Sequence, residues 1–168
     1  MTFICSTCGL EHDLASISLG ADAPAQWGLL TEEERKLSEL TADQCVIRSS
    51  ESIHFFVRGC LEIPIIGKES AFTWGVWCSL SEKSFLEMSE HWHDSDRTKF
   101  GPYFGWLCTP VPEYPDTMLM KTQVHQRAVG VRPLVELEES EHLLSVHSHC
   151  GIPEQEMQRI VSRVLHEQ

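Results

Sequence analysis

Two successive runs of alternating apolar and polar side chains, between Ile53 and Leu80, constrain the fold more than any other feature of the chain. A period of two is typical of a β-strand with one buried face. The polar residues 67–70 between the runs predict a turn, and therefore a long antiparallel hairpin. We expect both arms to bury one common face, formed by Phe55, Val57, Leu61, Ile63 and Ile65, and by Phe72, Trp74, Val76, Cys78 and Leu80.

Helix signals surround this predicted hairpin. Thr31 and Glu34 form a capping-box signature for a short helix, and Ser81 is placed to cap a second helix. A closing helix follows Pro153, where apolar residues recur at three and four residues. Further strands are expected near residues 45–47, 103–108, 117–127, 131–139 and 142–150. The pattern predicts an α+β fold: a curved antiparallel sheet of about five or six strands with two or three helices packed on it.

The length and composition favour a single folded domain. We expect residues 1–168 to form it, with residues 1–13 as a knuckle-like N-terminal segment. An apolar fraction of 42% and five tryptophans exclude general disorder. The chain has no run of eighteen apolar residues and no basic, apolar leader, which predicts a cytoplasmic protein without a membrane span.

The charge balance is strongly acidic. Twenty-five carboxylates against thirteen Lys and Arg give a net charge of −12. Neutralising nucleic-acid phosphates requires basic surface, which is scarce here, so a nucleic-acid partner is not expected. The acidity is explained either by solubility or by a surface complementary to a basic protein partner.

Cys5 and Cys8 form a Cys-x-x-Cys-Gly turn of the kind that presents two thiolates to one metal ion. Without a secretory signal, the seven cysteines are expected to be reduced thiols. Zinc is the cofactor that this turn predicts, although a redox dithiol and two ordinary thiols are alternatives. A structural zinc site needs two more ligands, and the candidates are His12, Cys45 and Cys60, and, with a weaker case, His147, His149 and Cys150.

A basic stripe is predicted on a later strand. Lys121, Gln123, His125 and Arg127 share one parity between residues 117 and 127. The stripe is either a solvent face or a wall that binds anions. On the strands of the predicted hairpin, Arg58, Glu62 and Trp77 have the parity that points away from the buried face. The predicted binding surface therefore consists of Arg58, Glu62, Trp77, Lys121 and His125. We expect an exposed tryptophan on it, which is typical of a binding surface.

The chain resembles a bacterial family at many points in order. The matching strings are CSTCGLEH, CVI, HFFVRGCLEIPIIG, FTWGVWCSLSE, PYFGWL, YPDT, KTQVHQR and RPLVELE. Over nearly the whole chain these strings resemble the uncharacterised family catalogued as domain of unknown function 2199. The resemblance implies a bacterial, soluble, single-domain protein and brings no activity with it. The residues that the resemblance places in the family pattern have no assigned role. They are Cys5, Cys8, Gly9, His12, Arg58, Glu62, Trp77, Trp106, Asp116, Lys121 and His125.

Two main hypotheses about function follow. The first is a protein-binding module stabilised by a zinc knuckle, and an immunity-like role fits its size and acidity by analogy. The second is a small enzyme in which His125 is the acid or base and Arg58 and Lys121 hold an anionic substrate. A purely structural domain is a third interpretation. The chain has no phosphate loop, nucleophile elbow or HExxH motif, which weakens the common enzyme classes and favours a non-enzyme; only the second hypothesis assigns a catalytic role, and it assigns it to His125.

Overall fold

The computed structural model describes residues 2–5, 7–13 and 19–166. Within these ranges the strands are β1 (Thr2–Ile4), β2 (Glu11–Asp13), β3 (Leu19–Gly20), β4 (Glu39–Leu40), β5 (Gln44–Arg48), β6 (Ile53–Pro64), β7 (Ala71–Leu80), β8 (Tyr103–Leu107), β9 (Lys121–His125) and β10 (Leu134–Leu137). The α-helices are α1 (Glu32–Leu37), α2 (Glu82–Glu90), α3 (Leu143–Cys150) and α4 (Glu154–His166). None of the helices in the described ranges is long and apolar enough to cross a membrane.

The central hairpin predicted from the alternation is confirmed. β6 and β7 pair antiparallel from Phe55 opposite Leu80 to Pro64 opposite Ala71, and the turn between them passes through Gly67 with φ of 77°. The register places Val57 opposite Cys78 and Leu61 opposite Trp74. All four side chains are buried in the main hydrophobic core. The apolar rows predicted for the two strands therefore lie on the same face of the sheet, because residues that pair in register point to the same side.

The sheet closes into a barrel, which extends the curved sheet predicted from the sequence. The order β6–β7–β8–β9–β10 is antiparallel throughout, and β10 then returns to pair with β6 in parallel. In this closing contact Leu134 lies opposite Cys60, whose N–H donates to the Pro133 carbonyl at 2.8 Å. Strands β5 and β4 continue from β6, and β3 pairs with β7. The α+β class and the sheet-rich core are confirmed.

A second, smaller core covers part of the outer face of the sheet. It consists of Cys45, Ile47, Phe56, Trp77 and Cys108, and Ala21, Trp27 and Leu30 pack against it. The indole N–H of Trp77 donates to the Ala21 carbonyl at 3.0 Å. The segment carrying Ala21 through Leu30, which includes a short 3-10 helix, therefore shields the outer side of β5–β7 from water.

The predicted helix starts at Thr31, Ser81 and Pro153 are confirmed. The Thr31 hydroxyl accepts from the Glu34 N–H, and Ser81 caps α2 in the same way. Helix α2 buries Phe85 and Met88 against the main core, and α4 adds Met157, Ile160 and Val161.

The strand predicted at residues 142–150 is wrong, because this segment is helix α3. The His142 side chain accepts from the Leu144 N–H, and Gly151 ends the helix with φ of 80°. The strand predicted over 117–127 is shorter than expected, since Leu119 has φ of 62° and pairing begins at Lys121. The error at residues 142–150 arises because periodicity alone does not distinguish helix from strand in a short apolar run.

Barrel closure predicts a sharp steric effect at Gly59. A methyl carbon added there would lie 2.6 Å from Cγ2 of Val135 and 2.9 Å from the Pro133 carbonyl oxygen. We expect Gly59→Ala to lower the free energy of unfolding by roughly 1–3 kcal/mol, because overpacking separates β6 from β10. Urea unfolding measures this change.

The matched control is Gly28→Ala, where no described atom lies within 4 Å of the added carbon. If both variants unfold at the same urea concentration, the close contact between β6 and β10 is not what holds the barrel closed.

Candidate metal centre

The N-terminal hairpin positions two cysteines at its turn. β1 and β2 pair antiparallel, and the Cys5 N–H donates to the Leu10 carbonyl at 2.9 Å. The Gly9 N–H donates back to the Cys5 carbonyl at 2.9 Å, and Gly9 adopts φ of 71°, which glycine tolerates without strain. The thiol of Cys8 is exposed, whereas that of Cys5 is buried in the main core.

His12 lies on β2, where the register of the hairpin brings it back to the turn. It pairs with Phe3, whose buried ring lies 5.8 Å from the His12 ring. The His12 Nε2 atom is 3.3 Å from Sγ of Cys8. The proximity of His12 to the knuckle, predicted from sequence, is thus observed.

Helix α4 contributes a fourth side chain from the far end of the chain. His166 occupies the last turn of the helix, and its Nε2 atom is 3.3 Å from Sγ of Cys5. Ser162 lies one turn earlier on the same helix face, with its hydroxyl 3.4 Å from the same sulfur. The buried residues of α4 dock the helix on the core and so hold His166 beside the knuckle.

The four ligand atoms form a compact group. The sulfurs of Cys5 and Cys8 and one ring nitrogen each of His12 and His166 all lie within 4.8 Å of one another. Zinc–sulfur bonds of about 2.3 Å and zinc–nitrogen bonds of about 2.0 Å place tetrahedral ligand atoms roughly 3.3–3.8 Å apart. The cluster therefore needs only small side-chain movements to hold a metal ion.

The environment of Cys5 favours the thiolate. The hydrogen bond with Ser162 is the largest cause that lowers the pKa of Cys5 to about 5, and burial opposes it. Backbone N–H groups of Cys8 and Thr7 and the ring of His166 lower this pKa further. Metal ligation requires a deprotonated sulfur, so these contacts prepare Cys5 as a ligand.

The other predicted completing ligands lie elsewhere. Cys45 belongs to the second core, where burial raises its pKa to about 12. Cys60 lies at the contact between β6 and β10 and is not part of the cluster. Of the α3 residues, the His147 ring contacts the Tyr114 hydroxyl at 2.9 Å, and His149 contacts the Leu137 carbonyl at 2.8 Å.

His166 is the member of the cluster that the sequence did not predict. It lies 161 residues from Cys5, so no spacing motif connects the two. The apolar stripe of the closing helix was visible, and His166 extends that helix by one residue past the stripe. The stripe indicates that the helix packs on the core. It does not indicate which part of the core the helix contacts, because that depends on the tertiary fold.

The predicted outer binding surface is divided by the second core. Trp77 is 0% exposed, so the expectation of an exposed tryptophan at this position is wrong. The Arg58 guanidinium lies over the Trp77 ring at 6.0 Å and 3.8 Å from the Asp22 carboxylate. Both residues are thus placed under or beside the segment that begins at Ala21.

The remaining three residues of that predicted surface each contact one charged side chain. Lys121 lies 3.3 Å from Glu138, and His125 lies 2.8 Å from Glu136. Glu62 accepts a hydrogen bond from Arg127 at 2.6 Å. A cavity of about 270 Å³ contains both Glu62 and His125, but its described lining includes neither Arg58 nor Lys121. The residues proposed to hold an anionic substrate are therefore not gathered in that cavity.

An exposed aromatic pair lies on the outer face of β8, next to Lys121. We call Phe104 and Trp106 the outer aromatic patch. Their side chains are 44% and 39% exposed and their rings pack edge to face at 5.2 Å. The register places Trp106 opposite Lys121 on β9. The alternation in YFGWL indicates this patch, because the buried residues have odd numbers and the two exposed aromatic residues have even numbers.

Together, the fold and the cluster define an α+β protein with a closed barrel and a Cys₂His₂ group that could hold a metal ion. The chain belongs to the bacterial family described as "Uncharacterized protein conserved in bacteria (DUF2199)", whose family model matches residues 4–152. Comparison with curated proteins and with solved structures finds no match. Three of the four clustered residues lie within the matched range, and His166 lies beyond it.

The lowered pKa of Cys5 predicts a pH dependence for the metal-free protein. An unfolded thiol titrates near pH ~8.5, so between that value and the folded pKa of about 5 the folded state binds fewer protons. We expect the contribution of Cys5 to the free energy of unfolding to grow from pH 5 to pH 9 and to be lost as the pH falls through about 5. Denaturation in the presence of a chelator, with ¹³C NMR of the Cys5 Cβ, measures both quantities.

Two variants control this measurement. Ser162→Ala removes the largest cause of the lowered pKa and should move the Cys5 midpoint upward. Cys5→Ser should remove the corresponding part of the pH dependence, whereas Cys150→Ser, outside the cluster, should retain it. Equal pH profiles for wild type and Cys5→Ser would contradict the prediction.

Proposed function

We propose that Cys5, Cys8, His12 and His166 bind one zinc ion in a structural role. The observation that carries this proposal is the approach of all four ligand atoms to within 4.8 Å of one another. Two thiolates and two imidazoles are the donor set of many structural zinc sites, and two thiolates balance the charge of Zn²⁺. Calcium and magnesium prefer oxygen ligands, which this group does not contain.

A structural role is supported by the number of protein ligands. A catalytic zinc site keeps one position open for water or substrate, whereas four protein ligands close a tetrahedral site. The ligands also join two elements distant in sequence, since three belong to the N-terminal hairpin and His166 belongs to α4. A metal ion here would fasten the hairpin to the helix.

Elemental analysis of the purified protein tests this proposal. We expect about one zinc per chain, and less than roughly half an equivalent would contradict the site. Cys8→Ser and His166→Ala should each abolish stoichiometric zinc, because each removes a ligand from an exposed position without opening the core. Removing zinc with a chelator should lower the melting temperature by roughly 5 °C or more.

Matched substitutions separate ligation from general damage. Cys150→Ser and His54→Ala change an exposed cysteine and an exposed histidine that lie outside the cluster, and both variants should keep zinc. Cobalt substitution adds a test of geometry, because cobalt bound to two thiolates in a tetrahedral site gives intense visible bands. Zinc loss in the control variants, or an octahedral cobalt spectrum, would contradict the assignment.

We further propose that the zinc-stabilised domain is a protein-binding module that uses the outer aromatic patch. Aromatic residues are enriched at protein–protein interfaces, and tryptophan is one of the residues that most often dominate their affinity. Phe104 and Trp106 pack on each other and are accessible, which limits the side-chain entropy lost on binding. The net charge of −12 favours a basic protein as the partner.

Affinity capture from the bacterium that encodes the chain tests this role. We expect the wild type to retain a basic protein that a Phe104→Ala/Trp106→Ala variant loses. Leu29→Ala is the control, since Leu29 is an apolar side chain that is 84% exposed and is not part of the outer aromatic patch. Capture that is equal for all three chains, or a captured partner that is acidic, would contradict the proposed interface.

A further inference from the structure

A cavity separate from the metal centre is lined by three arginines. It has a volume of about 460 Å³, and the residues around it are Asp43, Cys60, Trp92, Arg97, Arg127, Gly130, Val131 and Arg132. This volume lies in the range of small-molecule sites, about 300–1,000 Å³. The chain has only thirteen Lys and Arg against twenty-five carboxylates, so three guanidinium groups around one cavity form a basic site in an acidic protein.

Arg97 is the most buried of these arginines. Its side chain is 1% exposed, and it donates to the backbone carbonyls of Trp92, Arg127, Ala128 and Val131 at 2.6–3.0 Å. Its guanidinium also lies 5.0 Å from the centre of the Trp92 ring. Among the described residues no carboxylate forms an ion pair with it, so carbonyl oxygens make its direct contacts and the Asp43 carboxylate acts on its charge only from beyond ion-pair distance. Burial lowers the pKa of Arg97, and the nearby Asp43 carboxylate only partly opposes this shift.

The other two arginines each have one carboxylate partner. Arg127 donates to Glu62 at 2.6 Å, and Arg132 donates to Asp43 at 2.7 Å. Three guanidinium groups and two carboxylates leave one positive charge in excess around the cavity. The Arg132 and Asp43 side chains are 38% and 37% exposed, so this pair can exchange partners at little cost in burial.

We propose that this cavity binds a small organic oxyanion, a phosphate or a carboxylate attached to a planar or apolar body. Guanidinium groups bind both kinds of oxyanion through paired hydrogen bonds. The charged group would take the place of Asp43 beside Arg132, close to the excess charge of Arg97. The body of the ligand would contact Trp92 and Val131, which supply the apolar part of the lining.

This site is independent of the proposed zinc centre and of the outer aromatic patch. Its lining includes no ligand of the metal cluster and neither residue of the patch. It also differs from the anion site predicted from sequence, which used Arg58, Lys121 and His125. A failure of either proposed function would therefore leave this proposal standing, and the reverse also holds.

Titration with three matched probes tests the proposal. Phenyl phosphate and benzoate carry the two kinds of oxyanion on the same ring, and benzamide carries no charge. We expect at least one anion to bind, as measured by calorimetry at low salt and by NMR of the arginine Nε–H groups, and benzamide to bind at least roughly tenfold more weakly. Comparison of the two anions decides between phosphate and carboxylate.

Two substitutions with opposite expected effects on affinity test whether the anion binds in this cavity. Arg132→Gln should weaken the binding of the anion on the order of tenfold, because it removes a charge-assisted hydrogen bond. Asp43→Asn should strengthen binding several-fold, because it removes the carboxylate that competes for Arg132. The control is Arg48→Gln, since Arg48 is also 38% exposed and ion-paired, with Glu39 at 2.8 Å, but lies outside the cavity.

Cysteine modification gives an independent readout of position. Cys60 lines the cavity, whereas the exposed Cys150 does not. Bound anion should slow the alkylation of Cys60, followed by peptide mass spectrometry, and leave that of Cys150 unchanged. The proposal is overturned if neither anion binds, if benzamide binds equally well, if Arg132→Gln and Arg48→Gln behave alike, or if Cys60 is not protected.

Discussion

Strand β6 pairs along both of its edges, and the rest of the structure depends on this double pairing. One edge is paired with β7 from Phe55 to Pro64, and the other is shared by β5 and β10. The contact with β10 is possible because Gly59 has no side chain to separate the two strands. Closure removes two open edges of the sheet and leaves the barrel interior to the apolar rows of the hairpin.

The same strand organises the outer side of the protein. Phe56 of β6 and Trp77 of β7 carry the second core, while Glu62 of β6 forms an ion pair with Arg127. Because successive residues of a strand point to opposite faces, a single strand contributes to the barrel interior, to the second core and to the margin of the arginine-lined cavity. Cys60, at the closing contact, is part of the lining of that cavity.

The sequence predicted those features that depend on neighbours in the chain. The hairpin of β6 and β7 follows from local alternation, the helix starts at Thr31 and Ser81 follow from capping, and the Cys5–Cys8 turn with His12 follows from close spacing. Features that depend on distant contacts were missed or wrong. Alternation separates the two faces of a strand but does not reveal what covers each face, so Trp77 was expected in solvent.

His166 and helix α3 illustrate the same limit in two further ways. A clustered side chain 161 residues away from Cys5 leaves no spacing signal, because only the packing of α4 brings it to the knuckle. The short apolar run of α3 fits a strand as well as a helix, and the decision is made by the His142 cap and by packing against β6 and β10.

The distribution of the Cys₂His₂ group along the chain also affects when it can be completed during protein synthesis. Cys5, Cys8 and His12 leave the ribosome before the barrel strands, whereas His166 follows only after the barrel strands and α3 have been made. A nascent or truncated chain that ends before α4 presents three of the four side chains, with their thiols open to oxidation or to other metals. The complete group is therefore a mark of a chain that has been translated through α4 and has docked this helix on its barrel.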